Sequence, residues 1–273
     1  MGWRKPEYTK LGGNNLIYGP AAVGKTTSSI DSAPRPIGYY SLDPKKLEMT
    51  TRGNTSLKDV MISEPGGYEE LWQDLNDNFE MLCTDFKTVI LDPISFFMNV
   101  TLLGEIEMET GAAKVFDSTK RPLVNMGRTD QTGYGALASI MSRLCRVTGN
   151  LSKRGVLVIN VALEADNPKW NKMLAAGPAF AGREFPKNMP GFFDNIGRVE
   201  SMMKDGRVIY PPKVYFQSDE ENSWLSRWSG PALKSPFLPL DWELIMNYES
   251  GMDVKGELKR ILTNRRKEQG NEV

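Results

Sequence analysis

The chain has 273 residues, 40% hydrophobic and 25% charged, the make-up of a water-soluble polypeptide long enough to bury a full core. Lysine plus arginine number 34 and aspartate plus glutamate also 34, which excludes a uniformly basic chain and makes any anion-binding surface a local segregation of charge. The absence of histidine rules out histidine-based catalysis and histidine zinc sites, and Cys83 and Cys145 lie too far apart for metal-type spacing.

Asn14 to Tyr18 is a short apolar run, followed by a glycine-containing loop and by Thr26 to Ile30, which opens a helix. Ile37 to Leu42, Thr88 to Leu91 and Val156 to Val161 are likewise short and rich in β-branched or aromatic residues, as buried parallel strands are. Between them, Tyr68 to Leu82 and Gly135 to Leu151 carry helical spacing, the second placing Leu137, Ile140, Met141, Leu144 and Val147 on one face. Strands alternating with helices predict an α/β fold with a mostly parallel central sheet.

From Ala165 to Pro190 no period is sustained, and a connection of that length is functional or unstructured more often than a plain link. Ile196 to Met203, Arg207 to Tyr210, Val214 to Gln217 and Trp224 to Trp228 then read as hairpin strands, with Lys204-Asp205-Gly206 as one turn, predicting an antiparallel C-terminal extension. Glu257 to Glu268 reads as a charged helix with a narrow apolar stripe. The expected organisation is an N-terminal arm over 1–13, a core over 14–242 and a basic helical tail over 243–273. Apolar stretches are too short to cross a bilayer and the start lacks a signal-peptide pattern, so the expected location is cytoplasmic, without a membrane partner.

Gly19-Pro20-Ala21-Ala22-Val23-Gly24-Lys25-Thr26-Thr27 satisfies the phosphate-cradling pattern GxxxxGK[ST] in full, directly after a strand and at the opening of a helix. In such a loop the amides and the helix N-terminus face phosphate oxygens. Lys25 is expected to reach the β- and γ-phosphates and Thr26 to offer its hydroxyl to magnesium, which makes ATP with Mg²⁺ the expected cofactor. A second carboxylate for the metal is needed at the end of a neighbouring buried strand, and Asp92 supplies it, although a carboxylate before Pro93 is also a turn former. Asp43, ending the second strand with Glu48 behind it, is the candidate for orienting or deprotonating the attacking water; Asp43-Pro44 is equally a turn starter.

The order of these pieces, with Asp43 on the second strand, Asp92-Pro93-Ile94-Ser95 after the third and a later strand carrying Asn160, resembles the RecA-like ATPase core. More closely it resembles the phage-encoded, ATP-binding single-strand annealing proteins of recombination, from about Asn14 to Trp242. Met189-Pro190-Gly191-Phe192-Phe193-Asp194-Asn195-Ile196-Gly197-Arg198-Val199 is similar to the segment that ends that family's proline- and glycine-rich loop. The resemblance implies Asn160 as a polar sensor, with Val161 standing where a glutamine or histidine is expected. It also implies Arg227 as a cation reaching a neighbouring subunit's nucleotide, without the lysine that usually accompanies it; a surface arginine stacked between Trp224 and Trp228 is the alternative.

The same resemblance implies that single-stranded DNA is held by two loops, at about 113–134 and 165–190. The first carries Arg121 and Arg128, beside Lys114 and Lys120. The second carries Lys169, Trp170, Lys172, Arg183 and Lys187, with Phe180 and Phe185 between them. Cations beside stacking rings are what sequence-tolerant single-strand binding needs, while a solvated loop anchored by its aromatics has the same composition. The expectation is therefore an ATP-binding, single-stranded-DNA-binding and annealing protein that forms a homo-oligomer, filament or ring. ATP and magnesium would act as an assembly switch with slow hydrolysis, a single-strand-binding protein is a possible partner, and the setting is the bacterial host cytoplasm if the chain is phage-encoded. A DNA-stimulated motor or helicase, a small-molecule or nucleoside kinase, and a nucleotide switch without DNA remain open.

Overall fold

The computed structural model describes residues 13–45, 47–48, 55–109, 131–204, 207–218 and 223–251. Within these, the strands are β1 (Asn14–Gly19), β2 (Ile37–Ser41), β3 (Val60–Ser63), β4 (Thr88–Asp92), β5 (Leu157–Asp166), β6 (Ala176–Pro178), β7 (Asn195–Lys204), β8 (Arg207–Tyr215) and β9 (Leu238–Pro239). They form one sheet in the order β3-β2-β4-β5-β1-β7-β8-β9, with β6 pairing to β5 off that path. From β3 through β7 every pairing along the path is parallel, and β7-β8-β9 is antiparallel, so the expected α/β class and its C-terminal extension both stand.

Every residue of β1, β2 and β4 is buried, because helices cover both faces of the sheet. The period-two alternation sorts their side chains into two cores. Leu16, Tyr18, Val89, Leu91, Val158 and Ala162 face one side, with Leu71, Leu75, Leu137, Met141 and Leu144 from the helices. Ile17, Ile90, Leu157, Ile159 and Val161 face the other, with Ile30, Trp242 and Ile245.

The helices are α1 (Lys25–Ser32), α2 (Tyr68–Asp77), α3 (Phe79–Asp85), a continuous run α4 composed of Ile94–Phe96, a π-helical segment Phe97–Leu102 and Leu103–Glu109, then α5 (Gln131–Lys153), α6 (Glu184–Asn188) and α7 (Trp242–Glu249). The single helix expected over 68–82 breaks at Asn78, whose backbone leaves helical geometry and whose side-chain amide turns back to Asp74. No residue of α2 caps its own N-terminus; the Glu105 carboxylate of α4 accepts the Tyr68 N–H at 3.1 Å instead. At the other end of the chain Asp241 caps α7 by accepting from Leu244 N at 3.2 Å. Trp242 then donates its backbone N–H to Ser32 Oγ at 3.0 Å and its indole N–H to Ser29 Oγ at 3.2 Å, which fastens α7 onto α1.

Two sequence readings need correction. The strands expected at Arg207–Tyr210 and Val214–Gln217 are one strand, β8. Trp224 to Trp228 is not a strand but makes two isolated bridges, Trp224 to Ala176 and Arg227 to Ile196. The first comes from counting Pro211 and Pro212 as a break; β8 carries both prolines and still pairs with β7 on either side of them. Edge strand β3 and the π-helical segment had no sequence signal, and the helix expected over 257–268 lies outside the described residues. Among the described residues no helix is long and apolar enough to cross a membrane.

Candidate functional site

Parallel strands of a sheet expose their C-terminal ends together, and the crevice there is where open α/β sheets bind ligands. β1 ends at Gly19 and its partner β5 passes it at Leu163, with β5 separating β1 from β4 and Asp92. Gly19 is required by approach: a Cβ there would lie 2.3 Å from the Val199 carbonyl oxygen. The loop then swings through left-handed backbone at Ala22 (φ 61°) and Gly24 (φ 89°), and Gly24 O accepts from Ser28 N at 2.9 Å to start α1.

A cavity of about 300 Å³ opens beside this loop. Its walls include Ala21 through Thr27 from the loop and α1, Tyr39 and Asp43 at the end of β2, Asp92 and Pro93 at the end of β4, and Leu163 from β5. Lys25 is buried, and its ammonium donates to the carbonyls of Gly19 at 2.7 Å and Pro20 at 2.6 Å. Burial pulls its pKa down from 10.5 to about 8, against the opposing pull of Asp92 and Glu164.

The Thr26 hydroxyl donates to Asp92 Oδ2, which also accepts from the Tyr39 hydroxyl at 3.1 Å. Burial pushes the Asp92 carboxyl up, countered by the Thr26 hydrogen bond, by the charge of Lys25 and by Tyr39. A hydroxyl and a carboxylate meeting at a cavity wall are the hard oxygen donors that magnesium takes, so the residues present fit that ion. The turn after β2 is held by Lys45 N donating to Asp43 Oδ1 at 3.1 Å, and Asp43 faces the cavity as well, so turn formation and cavity access coexist in that residue.

Other candidates are placed elsewhere. Asn160 is fully buried on the opposite face of β5 from Val161 and does not line the cavity. Its amide donates to Asn14 Oδ1 at 2.9 Å and to Asn15 O at 3.1 Å, part of a polar network with Asn195 and Thr148 at the base of β1. Strand alternation thus sets this side chain in the buried network and not on the cavity wall. Arg227 also lies outside the cavity; it is exposed and donates to the Pro190 carbonyl.

In the segment 165–190, β5 runs on to Asp166 and pairs with β6, so the expected irregular loop is shorter and more ordered than its composition implied. Lys169, Lys172, Arg183 and Lys187 are exposed. Phe180 and Phe185 are not available to stack bases, because both are buried in the core and meet edge to face. Trp170 is half-buried against Gly177, its indole N–H enclosed without a partner. Asn99 clamps the segment by donating to Ala179 O at 2.7 Å and accepting from Ala181 N at 2.9 Å, and Ser95 Oγ accepts from Leu163 N at 2.8 Å. Arg121 and Arg128 lie outside the described residues.

Sequence reading missed Tyr39, Lys45, Leu47, Leu163 and Tyr210 as cavity walls. Tyr39 was within reach, since it shares a face of β2 with Ser41 and Asp43 lies just past the strand end. Tyr210 was not: it arrives through the β7-β8 pairing, and its ring lies so close to Gly24 that a Cβ there would come within 2.5 Å.

No family model matches this sequence, and no curated protein matches it. Among the solved structures that match, a crystal structure of the RadB recombinase aligns with 75% of this chain and 80% of that chain at 16% identity and a TM-score of 0.47.

Proposed function

We propose that this chain binds ATP with magnesium in the cavity beside Gly19–Thr27 and uses it as an assembly switch for binding and annealing single-stranded DNA. The observation that carries the nucleotide part is the meeting of the Thr26 hydroxyl with the Asp92 carboxylate at the wall of that cavity. Residues 66 positions apart come together only because β4 and β1 end on the same side of one sheet. When bound, magnesium supplies charge neutralisation at the terminal phosphates. Thr26 and Asp92 hold its place, the loop amides face the phosphate oxygens, and Lys25 exchanges its two loop carbonyls for phosphate oxygens. Asp43 faces the same cavity from β2 and accepts a proton from, or orients, the attacking water in the slow hydrolysis that resets the assembly.

The DNA part is supported by the exposed cations Lys169, Lys172, Arg183 and Lys187, in a segment tied through Asn99 to the chain that follows Asp92. With Phe180 and Phe185 in the core, phosphate contacts rather than ring stacking carry this surface. Subunits associate side by side as a filament or ring, with Arg227 directed at a neighbour.

Fluorescence anisotropy of a labelled single-stranded oligonucleotide, with and without ATP and magnesium, tests the proposal. Binding is expected to strengthen with the nucleotide, to lose that gain in Lys25→Ala, and to lose affinity and salt dependence when Lys169, Lys172 and Lys187 become Gln. Unchanged binding and salt slope in the triple variant would sink the DNA assignment. Phosphate transfer from ATP to a small acceptor without DNA would favour a kinase, and directional strand displacement a helicase.

A further inference from the structure

Charge does not balance in the cavity as described so far. A triphosphate with one divalent ion faces the carboxylates of Asp43 and Asp92, and Lys25 is the only cation of the phosphate loop. Arg227 is on a different part of the surface, engaged with Pro190. Among the described residues that line the cavity there is one further cation, Lys45.

Its position is held rather than incidental. Lys45 N donates to Asp43 Oδ1 at 3.1 Å, and Lys45 O accepts from Ser41 Oγ at 3.4 Å. Two residues on, Leu47 is buried in the core shared with Ile30 and Tyr39 and also lines the cavity. The backbone of Lys45 is thus fixed between the end of β2 and a core anchor, on the wall of the cavity that Lys25 and Thr26 also line. Lys45 is exposed, and among the described residues no ion pair engages its ammonium.

We propose that Lys45 is a second phosphate-binding cation, supplied by the same subunit, that contacts the terminal phosphate of the bound nucleotide and so distinguishes ATP from ADP. This rests on the nucleotide reading above and deepens it. Lys25 lies under the loop and serves any polyphosphate, whereas Lys45 stands on the Asp43 side, where the attacking water is placed. A cation there also offsets the charge that develops as the terminal phosphoryl group leaves. The site consequently holds two cations from its own subunit, before any that a neighbour adds on assembly.

Isothermal titration calorimetry with ATP and with ADP, each with magnesium, on the parent, Lys45→Ala, Lys45→Arg and Lys25→Ala full-length proteins tests this. Lys45→Ala is expected to weaken ATP about ten- to a hundredfold, the range of a charge-assisted hydrogen bond, and to leave ADP within about twofold. Lys45→Arg keeps the preference for ATP, and Lys25→Ala weakens both nucleotides. Circular dichroism melts match the parent for all Lys45 variants, since the side chain is exposed. If the parent binds ATP and Lys45→Ala keeps the parent's ratio of ATP to ADP affinity, the inference is overturned and the nucleotide site stands. Equal weakening of both nucleotides would also overturn it, and failure of the parent to bind either would remove both readings.

Discussion

Lys25 carries opposing demands. Its ammonium is buried with only two loop carbonyls around it, and the fall of its pKa from 10.5 to about 8 is a cost of about 3 kcal/mol, at about 1.4 kcal/mol for each tenfold change in ionisation. The folded chain holds this proton less tightly than the unfolded chain does. Below about pH 8 the cost is therefore present in full, and between about 8 and 10.5 it is relieved, so stability gains with rising pH in that window. Chemical denaturation of the parent and of Lys25→Met as a function of pH checks this. The difference is expected to move in favour of the parent by about 2 kcal/mol between pH 7 and 10, while groups common to both proteins cancel. A difference that is flat with pH would mean that Lys25 is not desolvated as described. The same burial explains why the residue suits polyphosphate, since an anion adds counter-charge where Asp92 and Glu164 only partly offset the loss of water.

Elements place these residues, and glycines set how closely elements approach. At Gly19, where β1 leaves the sheet beside β7, an added methyl would meet the Val199 carbonyl oxygen at 2.3 Å, and that obstacle is backbone, which cannot swing aside as a flexible side chain could. Gly19→Ala is expected to destabilise by about 1–3 kcal/mol or more, the range for overpacking, and to weaken nucleotide binding. Gly104, inside α4, has nothing within 4 Å of the same position, so Gly104→Ala should gain up to about 1 kcal/mol from helix propensity. Urea titrations of the two variants give opposite signs if the description holds, and the same sign would contradict it. Local sequence signals resolved the elements that make their own case: β1, β4 and the loop between β1 and α1 are runs whose type follows from composition and neighbours. The short edge strand β3 depends on a partner supplied by another part of the chain, β2, and no local window contains that information; the break at Asn78 involves Asp74 only four residues away, but apolar spacing carries no sign of that polar contact.

For the molecule as a whole, the distinction is between what a motif specifies and what topology assembles. That Thr26 and Asp92 meet at one cavity was legible because each stands in a local pattern, a glycine loop after a strand and a carboxylate ending a buried strand. The placement of Asn160 off the cavity wall was not legible because sequence marks the strand but not its facing, and one residue of register moves a side chain to the other face. The aromatics of 165–190 were misread for a related reason: composition cannot tell a ring that stacks a base from a ring that anchors a loop, and burial decided for the anchor at Phe180 and Phe185. Tyr210 and Lys45 enter the cavity through a hairpin and a turn, so only the assembled sheet reveals them. The account as a whole depends on a triphosphate and a divalent ion settling between α1 and Asp92. Calorimetric titration of ATP into the folded protein, with magnesium and again with a chelator, addresses that directly. One site per chain is predicted, weakened about tenfold or more without magnesium and by Asp92→Asn. Absence of binding heat at several temperatures, with no rise in melting temperature on adding ATP and magnesium, would contradict it.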